Sequence, residues 1–347
     1  MVAASDSVAL FTGNEENDFR YLPSGILGYG LGSIGLGLFW QELLEYMGYP
    51  ALVSIIPVIC LMPLSLSFWL SYLVKIIKNP LEFMTDLSEL PSHASIAAGI
   101  MTLANYAAVV YSLNQLLSNI LWNLSAFLFV IHFGVYFWFR FQKREPFNSI
   151  FYPYIFVSLI GLGIYAAASK HQNLDIATAS LMIGFPLLFI IMPIVIYRLS
   201  RFSKLPFPVT PTVTIIMAPT NLLLSGKLAT YPHEQETATY MLYMFSLCLD
   251  CYGYLNVWRF LRKDILPTHS AMTFPLTITG VSALRMLKVT GFSYLRYWLP
   301  IVVVVGASVN SYLLFHAARK LVAGTWLRKT VDASEREIQL ELPEMEM

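Results

Sequence analysis

Ten stretches of about twenty apolar residues recur along the chain, and they constrain its fold more than any other feature. A helix needs roughly 20 apolar residues to cross the hydrocarbon core of a bilayer. Only 12% of the 347 residues are charged, whereas a soluble domain carries roughly a quarter. The sequence therefore predicts an all-α polytopic membrane protein. The predicted spans lie near residues 22–45, 51–77, 92–114, 117–140, 149–169, 174–198, 208–228, 237–261, 268–289 and 294–322.

The two ends of the chain differ from the apolar region between them. Residues 1–20 are polar and acidic, without the basic segment and apolar core of a signal peptide. The segment after Lys329 is acidic and lacks an apolar face, which is typical of a disordered extension. We expect a cytoplasmic N-terminal segment over 1–20, a ten-helix domain over 21–325 and a disordered cytoplasmic tail over 326–347.

The loops between the predicted spans alternate in charge. Seventeen of the 22 Lys and Arg residues follow the even-numbered spans or flank the two ends of the chain. Cationic residues are enriched on the cytoplasmic side of membrane proteins. This asymmetry predicts that both termini are cytoplasmic, in a plasma or inner membrane. The five remaining cations, on the opposite side, are Lys170, Lys227, Arg285, Lys288 and Arg296.

The spans also alternate in composition, as a weak fivefold repeat of helical hairpins. Odd-numbered spans are rich in Gly, Pro and hydroxyl residues, whereas even-numbered spans are bulkier and more apolar. Small polar helices suit an inner ring that lines water, but small residues also mediate tight helix packing in membranes. We favour the ring, with kinks predicted at Pro153, Pro219 and Pro275. The candidate pore-lining residues are Gly25, Gly28, Gly99, Thr102, Ser158, Gly161, Asn221, Thr277 and Ser282.

The ninth span, residues 268–290, combines groups that a lipid-facing helix does not need. A Phe274-Pro275 pair is followed by three hydroxyl residues and then by Arg285. Polar and cationic groups at membrane depth are costly unless they face protein or water. We interpret this span as one wall of an anion pathway with Phe274 as a candidate plug. The alternative is a kinked packing helix with a core phenylalanine.

Four cations cluster at the outer ends of three odd-numbered spans: Lys170, Lys227, Arg285 and Lys288. Around a pore, they would raise the local anion concentration and repel cations. Ordinary snorkelling of long cationic side chains to the interface is an equal alternative. Glu42 and Glu45 weaken this outer-mouth ring, and we expect one of them to pair with a lysine.

Other polar residues within the predicted spans favour structural roles. Asp250 lies in the middle of the eighth span, and an intramembrane carboxylate is a candidate for proton coupling. Its position in an even-numbered span favours a hydrogen bond to a neighbouring helix or subunit instead. His132 is interpreted as a packed polar residue, and Cys248 and Cys251 as small packing residues. With a net charge of +1 and no nucleotide-binding or catalytic motif, we expect no enzyme activity, metal, cofactor or nucleic-acid partner.

Four segments of the chain resemble the tellurite-resistance/dicarboxylate transporter family. They are FRYLPSGILGYGLGSIGLGLFW (19–40), SIFYPYIFVSLIGLGIYAAAS (149–169), TIIMAPTNLLLSGKL (214–228) and MTFPLTITGVSALRML (272–287). The family includes TehA-like proteins, plant slow-type anion channels and yeast malate and sulfite permeases. The resemblance implies a homotrimer, with five hairpins arranged in quasi-fivefold symmetry and the odd-numbered helices around a central pore. It places the family's pore-blocking phenylalanine at Phe274 and a basic residue of the same helix at Arg285.

Three functional hypotheses follow from these features. The first is a channel or channel-like transporter that passes small inorganic or organic anions and is gated by Phe274. The second is a proton-coupled carrier of C4-dicarboxylates such as malate, or an exporter of sulfite or tellurite. The third is a sensor or scaffold that retains the fold with a closed pore. Current without a proton gradient would distinguish the first hypothesis from the second.

Overall fold

The regular secondary structure in the described part of the chain is helical. The computed structural model describes residues 19–143, 151–169, 174–201, 207–233, 237–261, 265–291 and 294–327. Short 3-10 segments cover Phe19–Tyr21, Gly161–Gly163, Phe207–Met217, Pro267–His269 and Thr325–Leu327. The α-helices are α1 (Ile26–Tyr46), α2 (Ala51–Ser54), α3 (Ile56–Lys78), α4 (Pro80–Ser88), α5 (Leu90–Val110), α6 (Gln115–Lys143), α7 (Ile155–Ile160), α8 (Ile164–Ala167), α9 (Leu174–Arg201), α10 (Ala218–Thr230), α11 (Thr237–Leu261), α12 (Ser270–Thr290) and α13 (Leu295–Val322).

Six helical stretches in this part of the chain are long and apolar enough to cross a membrane. Ile155–Ala167 is a further apolar helix but a shorter one. Helix α12 is not among these stretches and is instead buried within the protein along most of its length. The six stretches are Ala51–Lys78, Leu90–Val110, Gln115–Lys143, Leu174–Arg201, Val209–Thr230 and Leu295–Val322.

Burial divides the helices into two groups. The most apolar window of Leu90–Val110 is 83% buried and that of Val209–Thr230 is 89% buried, whereas the corresponding windows of the other four stretches are 22–39% buried. Helices α1 and α12 are also buried along most of their length. We call α1, α5, Ile155–Ala167, Phe207–Thr230 and α12 the central segments, and α3, α6, α9, α11 and α13 the peripheral helices.

The central segments contact one another in a closed cycle. Helix α1 packs against α5, α5 against Ile155–Ala167, that segment against α10, α10 against α12, and α12 against α1. Each central segment also packs against the peripheral helix that follows it in the chain. The peripheral helices expose large apolar side chains, including Phe127, Phe189 and Phe315, as expected where a helix faces lipid. The alternation in composition therefore corresponds to an alternation in burial.

Proline and glycine residues lie where the central segments begin, change geometry or end, and within α12. Pro275 lies inside α12, and Pro219 lies in the first turn of α10, directly after a 3-10 segment. Pro153 instead lies in the turn before α7 begins at Ile155, so the predicted kink at this proline is wrong. The third central segment changes to 3-10 geometry over Gly161–Gly163 instead. Gly291 ends α12 with a φ of 66°, a left-handed conformation that favours glycine.

Two further expectations from the sequence need correction. The acidic tail was expected to begin at 326, but Trp326 is buried and stacks on Tyr29, with ring centroids 6.0 Å apart. The aromatic ring thus adds to the packing against α1. Cys248 and Cys251 were interpreted as small packing residues, yet both are exposed on α11 in the single chain. Residues 1–18 and 328–347 lie outside the described part of the chain.

Candidate functional site: two cavities that meet at Phe274

Two cavities lie along the cycle of central segments, and each is lined by residues from all five of them. The first, of about 80 Å³, includes Pro91, Pro219 and Pro275 in its lining, and we call it the proline cavity. The second, of about 60 Å³, includes Arg285, and we call it the arginine cavity. Among the described residues, Phe274 is the one that lines both cavities. Its side chain therefore stands between two spaces that otherwise share no lining residue.

Local geometry on α12 holds Phe274 in this position. The residue is 9% exposed, and its ring faces Gly35 of α1, where an added Cβ would lie 3.6 Å from the ring. Pro275 has no N–H, so the carbonyl of Ala271 loses its helical partner. That carbonyl has a long contact, 3.5 Å, with the hydroxyl of Thr214 on a neighbouring central segment. The Thr277 hydroxyl donates to the Phe274 carbonyl at 2.8 Å, which supports the helix beyond the proline.

The structure brings some of the predicted lining residues to the cavities and buries others in helix contacts. Gly28 and Gly161 line the proline cavity, as do Pro219 and Pro275, and Thr277 lines the arginine cavity. Six of the predicted lining residues are absent from the described linings of both cavities: Gly25, Gly99, Thr102, Ser158, Asn221 and Ser282.

Glycines of α1 permit a close approach to α12. A Cβ added at Gly25 would lie 2.7 Å from the Pro267 carbonyl oxygen, and a Cβ added at Gly32 would lie 2.1 Å from the Thr273 hydroxyl oxygen. The Thr273 hydroxyl in turn contacts the Gly28 carbonyl at 3.1 Å. Small residues let membrane helices approach closely enough for such contacts. For Gly25, these contacts support a role in tight helix packing and not in lining a pore.

Arg285 lies in the arginine cavity and is paired with a carboxylate. Its Nε donates to Glu42 Oε2 at 3.1 Å, and its Nη2 donates to Glu42 Oε1. Its Nη1 donates to the Ala167 carbonyl at 2.9 Å and to the Ser225 carbonyl and hydroxyl at 3.0 and 2.9 Å. The guanidinium therefore joins α12 to α1, α8 and α10. Both charged side chains are 18% exposed.

The other predicted outer-mouth cations are placed differently. Lys288 is exposed and lies 3.4 Å from the Glu42 carbonyl oxygen. Lys227 lies beside a separate, largely apolar pocket among α9, α10 and α11. Lys170 lies outside the described residues. Glu42 pairs with Arg285, and Glu45 accepts a hydrogen bond from Gln41 at 2.9 Å.

Asp250 is buried in a polar network that lies outside the linings of both cavities. The Asn221 side-chain amide donates to Asp250 Oδ1 at 2.7 Å, and the Thr279 hydroxyl lies 3.4 Å from the same oxygen. The Ser282 hydroxyl donates to Asn221 Oδ1. Asp250 thus accepts the expected hydrogen bonds from neighbouring helices, and Asn221 and Ser282 are engaged in this network instead of lining a cavity.

This network predicts different effects for two substitutions of Asp250. Asp250→Asn keeps an acceptor for the Asn221 amide, whereas Asp250→Leu leaves a buried N–H group unpaired, which costs about 1–3 kcal/mol. We expect the Leu variant to unfold at a lower temperature than the Asn variant, with the Asn variant close to the unmodified protein. Thermal unfolding of the detergent-purified proteins measures this difference. Equal stability of the two variants would show that the network does not hold the helices together.

Sequence reasoning missed two polar residues that the structure places in notable positions. Asn105 of α5 lines the arginine cavity, and its signal was a side-chain amide in a span rich in small residues. His93 packs against His132, with ring centroids 4.1 Å apart, and its Nδ1 lies 2.8 Å from the Leu87 carbonyl oxygen. Both histidines are buried, in keeping with the interpretation of His132 as a packed polar residue.

The helices and cavities define an α-helical membrane protein with a partitioned central space. Residues 21–316 match the family described as voltage-dependent anion channel. The chain belongs to this family, which covers TehA-like proteins, slow-type anion channels and malate permease relatives, so the resemblance found in the sequence is confirmed. The family implies transport of anions across a membrane. No curated protein matches the chain.

Proposed function

We propose that this protein passes small anions along the axis enclosed by the central segments, with Phe274 as the gate. The observation that carries this proposal is the position of Phe274 between two cavities that each touch all five segments. A ring at this position offers an anion only apolar surface, and removing water from an ion costs far more than thermal energy. Rotation of this side chain would join the two cavities into one path.

The proposed architecture is ten transmembrane helices in five hairpins with quasi-fivefold symmetry. The closed cycle of contacts and the pairing of each central segment with the next helix support this arrangement. The assembly proposed is a homotrimer surrounded by lipid, by likeness to the family fold. The charge asymmetry of the loops supports cytoplasmic termini in a plasma or inner membrane. In that orientation the arginine cavity opens to the outside.

The described lining favours weak binding of anions. The charged residues that line the two cavities are Glu42 and Arg285, and they neutralise each other. Rapid passage requires sites that bind an ion weakly enough to release it. A coupled carrier of dicarboxylates needs a titratable group in the path. Asp250 lies in neither cavity lining, and Glu42, which lines the arginine cavity, is held in the charge pair with Arg285. This placement favours a channel over the carrier.

Measuring current through the purified protein in planar bilayers tests the proposed function. We expect current without a proton gradient, with reversal potentials that follow the anion gradient and not the cation gradient. A carrier would instead give uptake that depends on a proton gradient and no resolvable channel current. The absence of anion flux from both the unmodified protein and a Phe274→Ala variant would contradict the proposal and favour the sensor or scaffold.

A further inference from the structure

The charge pair in the arginine cavity uses the hydrogen-bond donors that an entering anion needs. The Glu42 carboxylate occupies Nε and Nη2 of Arg285 in a two-point contact. The remaining donor interactions of the guanidinium go to Ala167 and Ser225. An anion in this cavity therefore meets a cation whose accessible edge already holds a negatively charged group.

A second donor faces the same cavity without a protein partner. Asn105 is 4% exposed and lines the arginine cavity. Within the described part of the chain, its side-chain amide makes no hydrogen bond. Buried side-chain amides nearly always have hydrogen-bond partners. An amide and a guanidinium that line the same cavity are a donor set suited to an anion, because the N–H groups of both attract negative charge.

We propose that the arginine cavity is an anion-binding site in which the Glu42 carboxylate is a tethered competitor. An anion entering from the outside displaces this carboxylate from Arg285 and takes a second hydrogen bond from Asn105. When the anion leaves, Glu42 returns and restores a neutral pair. Because each binding event breaks one strong contact to form another, the site holds an anion weakly. This inference rests on the proposed anion passage and adds Glu42 as the residue that sets the strength of binding.

The same contacts also fit a purely structural role, in which the pair joins four central segments. The two roles differ in what happens when the negative charge is removed. A competitor that is neutralised leaves Arg285 open to anions, so affinity rises. A structural pair that is broken lowers stability and does nothing for anion binding. Glu45 provides a matched control, because it lies one turn away on α1 and contacts Gln41 and not Arg285.

Thermal unfolding of the detergent-purified protein in nitrate tests the inference without any transport step. Nitrate replaces gluconate at constant ionic strength, and the rise in unfolding temperature reports binding by mass action. We expect Glu42→Gln to lower the half-saturating nitrate concentration about tenfold or more, and Glu45→Gln to leave it unchanged. Adding Asn105→Leu to Glu42→Gln should reverse most of the gain.

Equal nitrate responses of the Glu42→Gln and Glu45→Gln variants would overturn the inference. So would a Glu42→Gln variant that is less stable and insensitive to nitrate. If that variant does not fold, Glu42→Asp provides the test, because its shorter side chain keeps the charge but holds the guanidinium less closely. A nitrate affinity of Glu42→Asp above that of the unmodified protein supports the competitor, and an unchanged affinity contradicts it. Bilayer current tests the proposed function separately, so either result stands without the other.

Discussion

Replacing Phe274 by alanine should raise the anion current several-fold or more at equal surface expression. The benzyl group stands between the proline cavity and the arginine cavity. Alanine removes the ring and leaves Pro275 in place within α12. The two cavities would then form one water-accessible path, and an anion would no longer lose its hydration to cross an apolar barrier.

Phe274→Leu provides a graded comparison. Leucine is smaller than phenylalanine but still apolar, so it should give a current between those of the unmodified protein and the Ala variant. Anion selectivity should change little across the series, because the lining outside position 274 is unchanged. Current recordings in oocytes or bilayers at matched surface amounts measure all three proteins.

A second phenylalanine separates gating from loss of packing. Phe39 of α1 is 2% exposed, lies against Gly280 and lines neither cavity. Phe39→Ala removes the same ring from the core, and we expect it to lower stability without raising current. If Phe39→Ala and Phe274→Ala raised the current equally, the increase would come from a loosened core, and Phe274 would be a packing residue.

The class of fold was predictable from the sequence, because membrane burial makes strong demands on each segment. A helix in lipid must be long, apolar and internally hydrogen-bonded, and these properties are visible residue by residue. The buried and exposed segments were also separable, since small and hydroxyl residues mark helices that face protein. Phe274 was found because it precedes a proline within such a segment and because the family resemblance singled it out.

The rotation of each helix about its axis was not predictable in the same way. Gly25 directly precedes α1 and Gly28 lies in its first turn, yet Gly25 packs against Pro267 while Gly28 also borders the proline cavity. A span that is buried all round has little hydrophobic asymmetry from which to read its orientation. The sequence therefore identified a set of small residues but did not indicate which of them line the cavities.

Long-range partners were also beyond the sequence pattern. Arg285 and Glu42 are 243 positions apart, and several lysines were equally plausible partners for the carboxylate. The pairing depends on the cycle of central segments, which brings the ends of α1 and α12 together. Trp326 shows the same limit, because its place against Tyr29 depends on a tertiary contact. Local composition indicated only an acidic extension.

The glycine contact between α1 and α12 gives the second large expected effect, a loss of stability in Gly32→Ala. A Cβ at this position would lie 2.1 Å from the Thr273 hydroxyl oxygen and 2.3 Å from the Thr273 Cβ. The Cβ is bonded directly to the backbone and the hydroxyl oxygen is one bond farther out, so neither can move aside as the tip of a long side chain would. Overpacking of a buried contact costs about 1–3 kcal/mol and occasionally more. We expect a lower unfolding temperature and a smaller yield of monodisperse protein.

Gly134 on α6 is the matched control, since an added Cβ there meets no heavy atom within 4 Å. Alanine is favoured over glycine in a helix by about 1 kcal/mol, so Gly134→Ala should be neutral or stabilising. Combining Gly32→Ala with Thr273→Gly removes the clashing side chain and should recover part of the lost stability, a coupling that a double-mutant cycle measures. Equal stabilities of the Gly32→Ala and Gly134→Ala variants would show that the close contact does not limit how α1 and α12 pack. The same would follow if the stability losses of Gly32→Ala and Thr273→Gly simply added in the double variant.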